Sequence, residues 1–386
     1  MKTERELKAK PARPRRSGPD PARSLIVIIA ALCVVGLVMV LSASSVDALR
    51  TYGSSWYYFI RQAIYLGLGA VALWITARVD YHFWRKFSVP AAAASLFLMA
   101  CVLVPGLGQT AYGARRWLGV GPMQFQPSEL AKLALILFAA DVITRHPPQR
   151  EGPTSLYVIA GVTGLALGLV MLEPDMGTSM IILGSVLAVV VLGGIPTNQL
   201  LAGLAGIGVL GGLFALVEPY RRQRLLSFTD PFKTASSTGY QQVQGLVGLG
   251  SGGIRGVGLG ASKSKWGFLP NAHTDFIFAI IGEELGLLGA MGVIALFVAL
   301  AVFGFRAATR APDLFGSLVA GGITAWLVGQ AALNMGAVVG ALPVTGVPLP
   351  FISLGGTSTI FGMAAAGILV NIARQRRAVP ARRSAR

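Results

Sequence analysis

Cysteine, histidine and acidic residues are all scarce in this chain. Two cysteines and three histidines occur in 386 residues. Cys33 and Cys101 each sit inside an apolar run, so they read as small core residues and exclude a disulfide-stapled fold. His82, His146 and His273 are too dispersed to form a metal cluster. No G-x-S-x-G nucleophile elbow and no Walker motif occurs, which removes the commonest hydrolase and nucleotide-binding signatures. Charged residues make up 13% of the chain, about half the share usual for a soluble domain, and only 16 of them are Asp or Glu.

What fills the sequence instead is apolar. Hydrophobic residues account for 54% and the mean hydropathy is +0.65. Many uncharged windows of roughly 18–22 residues are long enough to cross a hydrocarbon core of about 30 Å. The periodicity predicts ten helices, over residues 24–43, 59–77, 89–104, 127–143, 156–172, 176–194, 199–217, 276–305, 315–339 and 351–373. The first run is too long for the apolar core of a signal peptide and reads as a retained helix.

The net charge of +17 and pI of 10.5 would suit a nucleic-acid binder, but the distribution does not. Eight Lys/Arg precede Ser24 and six follow Ala373, flanking the spans rather than forming one docking face. Short loops carry Arg78, Arg85 and Lys86, then Arg145 and Arg150, then Arg306 and Arg310. All of these agree with both termini in the cytoplasm. The expected architecture is an all-α polytopic membrane protein of ten transmembrane helices. Residues 1–23 form a disordered basic tail, 24–373 the membrane domain and 374–386 a second basic tail, with anionic lipid as a partner the tails could attract. A long external loop, 218–274, joins helices seven and eight. It breaks the charge pattern with Arg221, Arg222, Arg224, Lys233, Arg255, Lys263 and Lys265. The external loop 106–126 adds Arg115 and Arg116. Cations outside suit an anionic ligand, although long loops also escape the rule.

The few acids are then the residues to explain. In "HTDFIFAIIGEELG", Asp275 is expected at the helix N-cap and at the external surface. Glu283 and Glu284 lie about 12 Å deeper, buried, pointing about 100° apart, with one expected to pair with a cation or backbone group. Capping and chemistry are compatible for Asp275, whereas Glu283 and Glu284 read as architectural. In "RRWLGVGPMQFQPSELAKLAL", Pro127 opens a helix that sets Glu129 and Lys132 on one face as i,i+3 neighbours. Their pair is either a structural clasp or part of a site. Arg116 beside Trp117 offers a phosphate or carboxylate contact. Glu173 and Asp175 flank Pro174 in a short external turn and read as helix caps, with a metal carboxylate pair as the lesser reading. Gly248, Gly250 and Gly253 match G-x-G-x-x-G without a surrounding βαβ unit, so a flexible, close-packing segment is favoured over an anion cradle. Gly208/Gly212 and Gly282/Gly286 read as helix-packing pairs. Prolines and Gly355-Gly356 in "ALPVTGVPLPFISLGGTST" break the chain where irregular backbone would line a cavity.

Taken in order, "GARRWL", "QPSELAKLAL", "RLLSFTDPF", "GYQQVQ", "HTDFIFAIIGEELG" and "PVTGVPLPFIS.GGTS" resemble the shape, elongation, division and sporulation family, the FtsW/RodA proteins. Lys265 ahead of "FLP" and the "AHTDFIFAIIGEELG" stretch are more similar to the division member than to the elongation member. Two departures stand out: Asn271 where a Glu usually precedes "AHTD", and Leu354 where an aromatic usually precedes the glycine pair. The resemblance implies ten spans and polymerisation of lipid II into glycan strands outside the bacterial cytoplasmic membrane. It further implies work beside a class B penicillin-binding protein and other divisome proteins at the septum. It implies that Asp275 is the catalytic acid, acting as general base, with Arg116, Trp117, Lys263, Lys265, Glu129 and Lys132 toward substrate. Two other functions fit ten helices with intramembrane charges: a lipid II flippase, which predicts an inverted repeat not found here, and a non-catalytic scaffold. No ligand motif indicates a metal, and the sequence leaves any cofactor, a divalent cation included, open.

Overall fold

The computed structural model describes residues 20–375 apart from 112–113, 121–122, 200, 202, 204, 207–230 and 238. Helix α1 runs Pro21–Tyr52, with Asp20 accepting from Ala22 N as its N-cap and Gly53 closing it in the left-handed region. It is followed by α2 (Tyr57–Arg78), α3 (Tyr81–Lys86) and α4 (Ser88–Leu103). Then come α5 (Pro127–Arg145), α6 (Pro148–Glu151), α7 (Thr154–Leu172) and α8 (Met176–Leu192). After the undescribed stretch come α9 (Tyr240–Gly252), α10 (Ile277–Thr309), α11 (Leu314–Val338) and α12 (Gly356–Arg374). Six of these helices (α1, α2, α7, α10, α11 and α12) are long and apolar enough to cross a membrane, and α4 and α8 are shorter apolar helices. Nine of the ten expected spans coincide with helices, including α5. Most of the seventh lies outside the described residues, as do Gly208, Gly212, Arg221, Arg222 and Arg224 and residues 1–19 and 376–386.

Helix α5 lies at the centre, buried along almost its whole length, and packs on α4, α8 and α11. Helices α2 and α12 pair closely, and α10 lies between α1, α9 and α11. Gly367 makes the α2–α12 contact possible, because a Cβ there would strike Leu73 O and Thr76 Oγ1.

The chain is not wholly helical. Residues 108–125 form an antiparallel meander of β1 (Gly108–Ala111), β2 (Ala114–Val120) and β3 (Met123–Phe125), ordered β1-β2-β3. Strand β2 carries Arg116 and Trp117, and β3 delivers the chain to Pro127, which opens α5.

A second departure lies in α10, where Gly286 adopts φ 68°, ψ −167° and breaks the helix. In an unbroken helix Leu287 N and Leu288 N would donate to the carbonyls of Glu283 and Glu284. Here those carbonyls accept from Val257 N (3.0 Å) and Gly258 N (3.1 Å), while Leu287 N and Leu288 N donate to Gly253 O (2.9 Å) and Ile254 O (3.2 Å). The glycine-rich segment is therefore spliced into the break. A Cβ on Gly286 would meet Gly256 N, and one on Gly256 would meet Glu284 O, so both positions require glycine. The expected reading of Gly286 as a packing glycine is corrected: it is the break itself. The expected flexible segment is likewise helix α9 followed by this splice, and its Val257 and Gly258 N–H groups are already engaged.

At the opposite end of the bundle from Asp275, two charge clusters join the elements. Asp141, buried on α5, accepts from Arg85 Nε (2.7 Å), Arg145 Nε (2.9 Å) and Ser88 Oγ (2.8 Å). His82 bridges Asp80 Oδ1 (2.7 Å) and Asp313 Oδ2 (2.6 Å), Tyr81 Oη donates to Asp313, and Gln375 Nε2 donates to Asp80. Burial alone would lower the His82 pKa, but the two carboxylates outweigh it and raise it. For Asp80 and Asp313 burial opposes, and hydrogen bonds from backbone and His82 win, holding both below the usual carboxylate range. The raised His82 value makes its contribution complete below the ordinary 6.5 and lost as pH rises through the folded value. The depressed carboxylates add stability above their ordinary 3.8 that disappears as pH falls through their folded values. The clasp is half-exposed, so solvent screening limits it to less than about 1 kcal/mol. Thermal unfolding at pH 5.5 and 8.5 should show a small loss of stability at the higher pH in wild type. That loss should shrink in His82→Gln; an equal loss in both would place the titration elsewhere.

Candidate functional site

The end carrying Asp275 is built from three segments that meet: the residues before α10, the α11 face, and the irregular chain 340–355 before α12. Three consecutive carbonyls fix the first segment. His273 O accepts from Leu354 N (3.0 Å), Thr274 O from Ser353 Oγ, and Asp275 O from Asn334 Nδ2 (2.7 Å). The His273 ring stacks on Tyr58 with centroids 4.6 Å apart, and burial holds its pKa below the usual value despite Asp47. Thr274 Oγ1 donates to Asp275 Oδ1 (2.9 Å).

Asp275 does not cap the helix. The N-cap of α10 is Phe276, which has no capping side chain, and Asp275 stands one residue earlier. The carbonyl clamp on 273–275 holds the segment out of helical register, and Asp275 lies on the wall of a narrow cleft instead of capping the helix. Asp275, Phe276, Asn334, Ala337, Val344, Thr345, Gly346 and Val347 line that cleft. Asn271 adopts φ 54°, and its carbonyl accepts from Thr274 N and Thr274 Oγ1. Asparagine tolerates this left-handed turn better than glutamate, a local reason for the departure at this position. Leu354, the other departure, is held by its own N–H to His273 O and packs against the core.

Glu129 and Lys132 form the expected pair, with Nζ 2.7 Å from Glu129 Oε2 and the lysine fully buried. Lys132 Nζ also donates to Gln330 Oε1 (3.0 Å) and lies over the Trp326 ring at 5.1 Å. Gln330 Oε1 accepts from Trp326 Nε1 (2.9 Å) as well, and its Nε2 donates to Pro348 O (2.9 Å). One turn along α11, Asn334 Nδ2 joins Asp275 O to Val347 O, each at 2.7 Å. A polar path thus runs from the ion pair in α5 through Gln330 and Asn334 to Asp275. Sequence reasoning passed over Gln330 and Asn334; the signal was two amides spaced i,i+4 inside an apolar helix.

Glu283 and Glu284 converge on one segment through different atoms. Glu283 accepts from Ser262 Oγ (2.6 Å) and Lys263 N (2.8 Å). Glu284 accepts from Ser42 Oγ on α1 (2.7 Å to each oxygen), Ser262 N (3.3 Å) and Lys265 Nζ (3.4 Å). Lys265 also reaches Gly260 O and is only 7% exposed, so it is spent on Glu284 and is not among the residues lining the Asp275 cleft. A buried carboxylate thus draws the nearest flexible cation of the basic loop inward. Lys263 and Arg255 remain exposed.

Arg116 is occupied by the turn before α8, donating from Nε to Glu173 O (3.0 Å) and from Nη2 to Pro174 O (2.6 Å), with Nη1 3.6 Å from Asp175 Oδ2. Its neighbour Trp117 is half-buried on β2, opposite Gln109. Asp175 caps α8 through Thr178 N (3.0 Å), as expected. Glu173 is the C-cap of α7 through its backbone N–H, which donates to Leu169 O and Val170 O, while its carboxyl is buried without a hydrogen bond, and burial, with Asp175 adding, pushes its pKa up to about 8 against Arg116. No group of three or more His, Cys, Asp or Glu suited to a metal occurs among the described residues.

Comparisons with known proteins agree along the whole chain. A family model for the FtsW/RodA/SpoVE cell cycle proteins matches residues 23–378. Stage V sporulation protein E of Bacillus subtilis is 38% identical over 94% of this chain and 99% of its own length. The probable peptidoglycan glycosyltransferase FtsW of Geobacter metallireducens is 38% identical over 92% of this chain and 95% of its own. Among solved structures, a chain from a peptidoglycan synthase complex superposes with a TM-score of 0.75 at 30% identity, over 91% of this chain and 97% of that one. The rod shape determining protein RodA of Thermus thermophilus gives 0.67 at 30% identity, over 92% and 97%. Matched from the first helix to the last in sequence and in backbone path, this chain belongs to the FtsW/RodA/SpoVE family of cell cycle proteins.

Proposed function

We propose that this protein is a division-type peptidoglycan glycosyltransferase that polymerises lipid II on the outer face of the cytoplasmic membrane, with Asp275 as its general base. The observation that carries the base assignment is the cleft at the head of α10, where a clamped backbone sets the Asp275 carboxylate on the cleft wall. In the reaction, the acceptor sugar's hydroxyl oxygen attacks the anomeric carbon of the donor. The bond from that carbon to the pyrophosphate oxygen breaks, the hydroxyl proton passes to Asp275, and undecaprenyl pyrophosphate leaves with the electron pair. Lys263 and Arg255, exposed on the same loop, are the cations available to a leaving pyrophosphate. Arg116 and Lys132 act at one remove, through the Glu173–Asp175 turn and the Gln330–Asn334 path.

The orientation follows from the two ends of the bundle. The end with Arg85, Arg145, His82 and Gln375 is cytoplasmic, the Asp275 end is external, and the chain crosses ten times with both tails inside. A class B penicillin-binding protein is the proposed partner, supported by the likeness to a chain of a peptidoglycan synthase complex, and the divisome is the proposed setting. The test is polymerisation of lipid II by the purified protein with its cognate penicillin-binding protein. Glycan strands should form with inverted anomeric configuration, since one base and direct displacement suffice. Retained configuration would exclude the single-base reading, and absence of polymer would return the flippase and the scaffold to consideration.

A further inference from the structure

Two residues that line the Asp275 cleft each carry a buried polar atom with nothing to bond. Asn334 is 2% exposed and Thr345 8%, and both line the cleft beside the carboxylate. The orientation of the Asn334 amide is forced, because its Nδ2 lies 2.7 Å from two carbonyls, Asp275 O and Val347 O, and only the NH2 end can donate to both. Its Oδ1 is therefore turned away from them and is left without a donor. Thr345 Oγ1 is equally without a partner. A buried polar atom with no partner is costly, and two in one cleft call for a polar occupant. Gly346, at φ 72°, adjoins them, and a Cβ there would stand 3.9 Å from Asp275 Oδ2, in contact with the carboxylate.

We infer that Asn334 Oδ1 and Thr345 Oγ1 form a sugar-hydroxyl subsite that seats the acceptor sugar against Asp275. The inference rests on the glycosyltransferase reading above and deepens it. A hydroxyl is the group that fits both atoms: it donates to an amide oxygen that can only accept, and it accepts from or donates to a threonine hydroxyl. An anion would be repelled by both that oxygen and Asp275. Asn334 has a second role as a positioning residue, since the same side chain fixes the backbone of Asp275. The Thr345 hydroxyl makes no hydrogen bond to Asp275 or to the groups that clamp it, so its removal isolates the subsite.

Thr345→Val keeps the shape and removes the hydroxyl; Thr345→Ser restores it. Lipid II polymerisation and direct binding of lipid II are measured for wild type, Thr345→Val and Thr345→Ser. Binding is also measured in the Asp275→Ala background with and without Thr345→Val. Thr345→Val should raise KM and weaken lipid II binding by about tenfold, with thermal unfolding unchanged and Thr345→Ser within about twofold of wild type. Wild-type KM and binding in Thr345→Val, or a serine variant as impaired as the valine one, would overturn the subsite. Failure of the glycosyltransferase reading appears separately, as wild type without polymer or Asp275→Ala with it. In either event the binding comparison still decides whether Thr345 holds lipid II.

Discussion

Lipid II given to Asp275→Asn, in complex with the cognate class B penicillin-binding protein, should yield no detectable glycan, a fall of about 10³-fold or more. The change is nearly isosteric, and the contact that holds the residue is made by its backbone carbonyl, which the substitution keeps. Folding and partner binding should therefore match wild type, and the loss should fall on turnover, with KM close to unchanged. An amide is not a base at any accessible pH, so Asp275→Ala should be equally inactive. Gel analysis of the polymer together with a thermal unfolding curve for each variant checks both halves. Full-length strands from Asp275→Asn would locate the proton acceptor elsewhere and leave the cleft without its assigned chemistry.

The second large effect belongs to the buried pair on α5. Lys132→Met should destabilise the protein by about 3–5 kcal/mol, because it leaves Glu129 buried beside a neutral side chain. Replacing both residues, Glu129→Met with Lys132→Met, should recover most of that loss, since matched apolar groups remove the uncompensated charge. Thermal unfolding in detergent reads both variants, and a double variant no more stable than the single would show that the pair is not the source of the loss. The double variant also separates clasp from site. If it folds and polymerises, the pair is architectural; if it folds and does not, the path through Gln330 and Asn334 to Asp275 carries something the chemistry needs.

Much of this was legible from residue spacing. The apolar runs gave nine helices close to their observed bounds, and i,i+3 spacing on a helix opened by Pro127 gave the Glu129–Lys132 contact. Pairing of one deep glutamate with a cation was also readable, as was the capping role of Asp175, because each follows from the cost of an unpartnered carboxylate in an apolar setting. What escaped depends on tertiary contact. The β1–β3 meander is three short strands in a glycine-containing stretch, with too few residues each for alternation to show. Gly286 looked like any small residue in a span, since nothing local says that residues 253–258 will dock there. Lys265 belonged by sequence to a basic loop, and only the placement of Glu284 shows that it is drawn inward. Gln330 and Asn334 carry no charge and match no short motif, so their linking role becomes visible only when Pro348, Val347 and Asp275 are seen around them.

The splice at Gly286 also bears on the order in which the protein is made. Four backbone groups of α10 depend on residues 253–258, and unmet backbone groups in hydrocarbon cost several kcal/mol each. During synthesis from the N-terminus, that segment leaves the ribosome before α10 does. The broken span thus enters the bilayer with its complement already made. A rearranged chain with the glycine segment placed after the span would ask the same helix to insert with its break unmet.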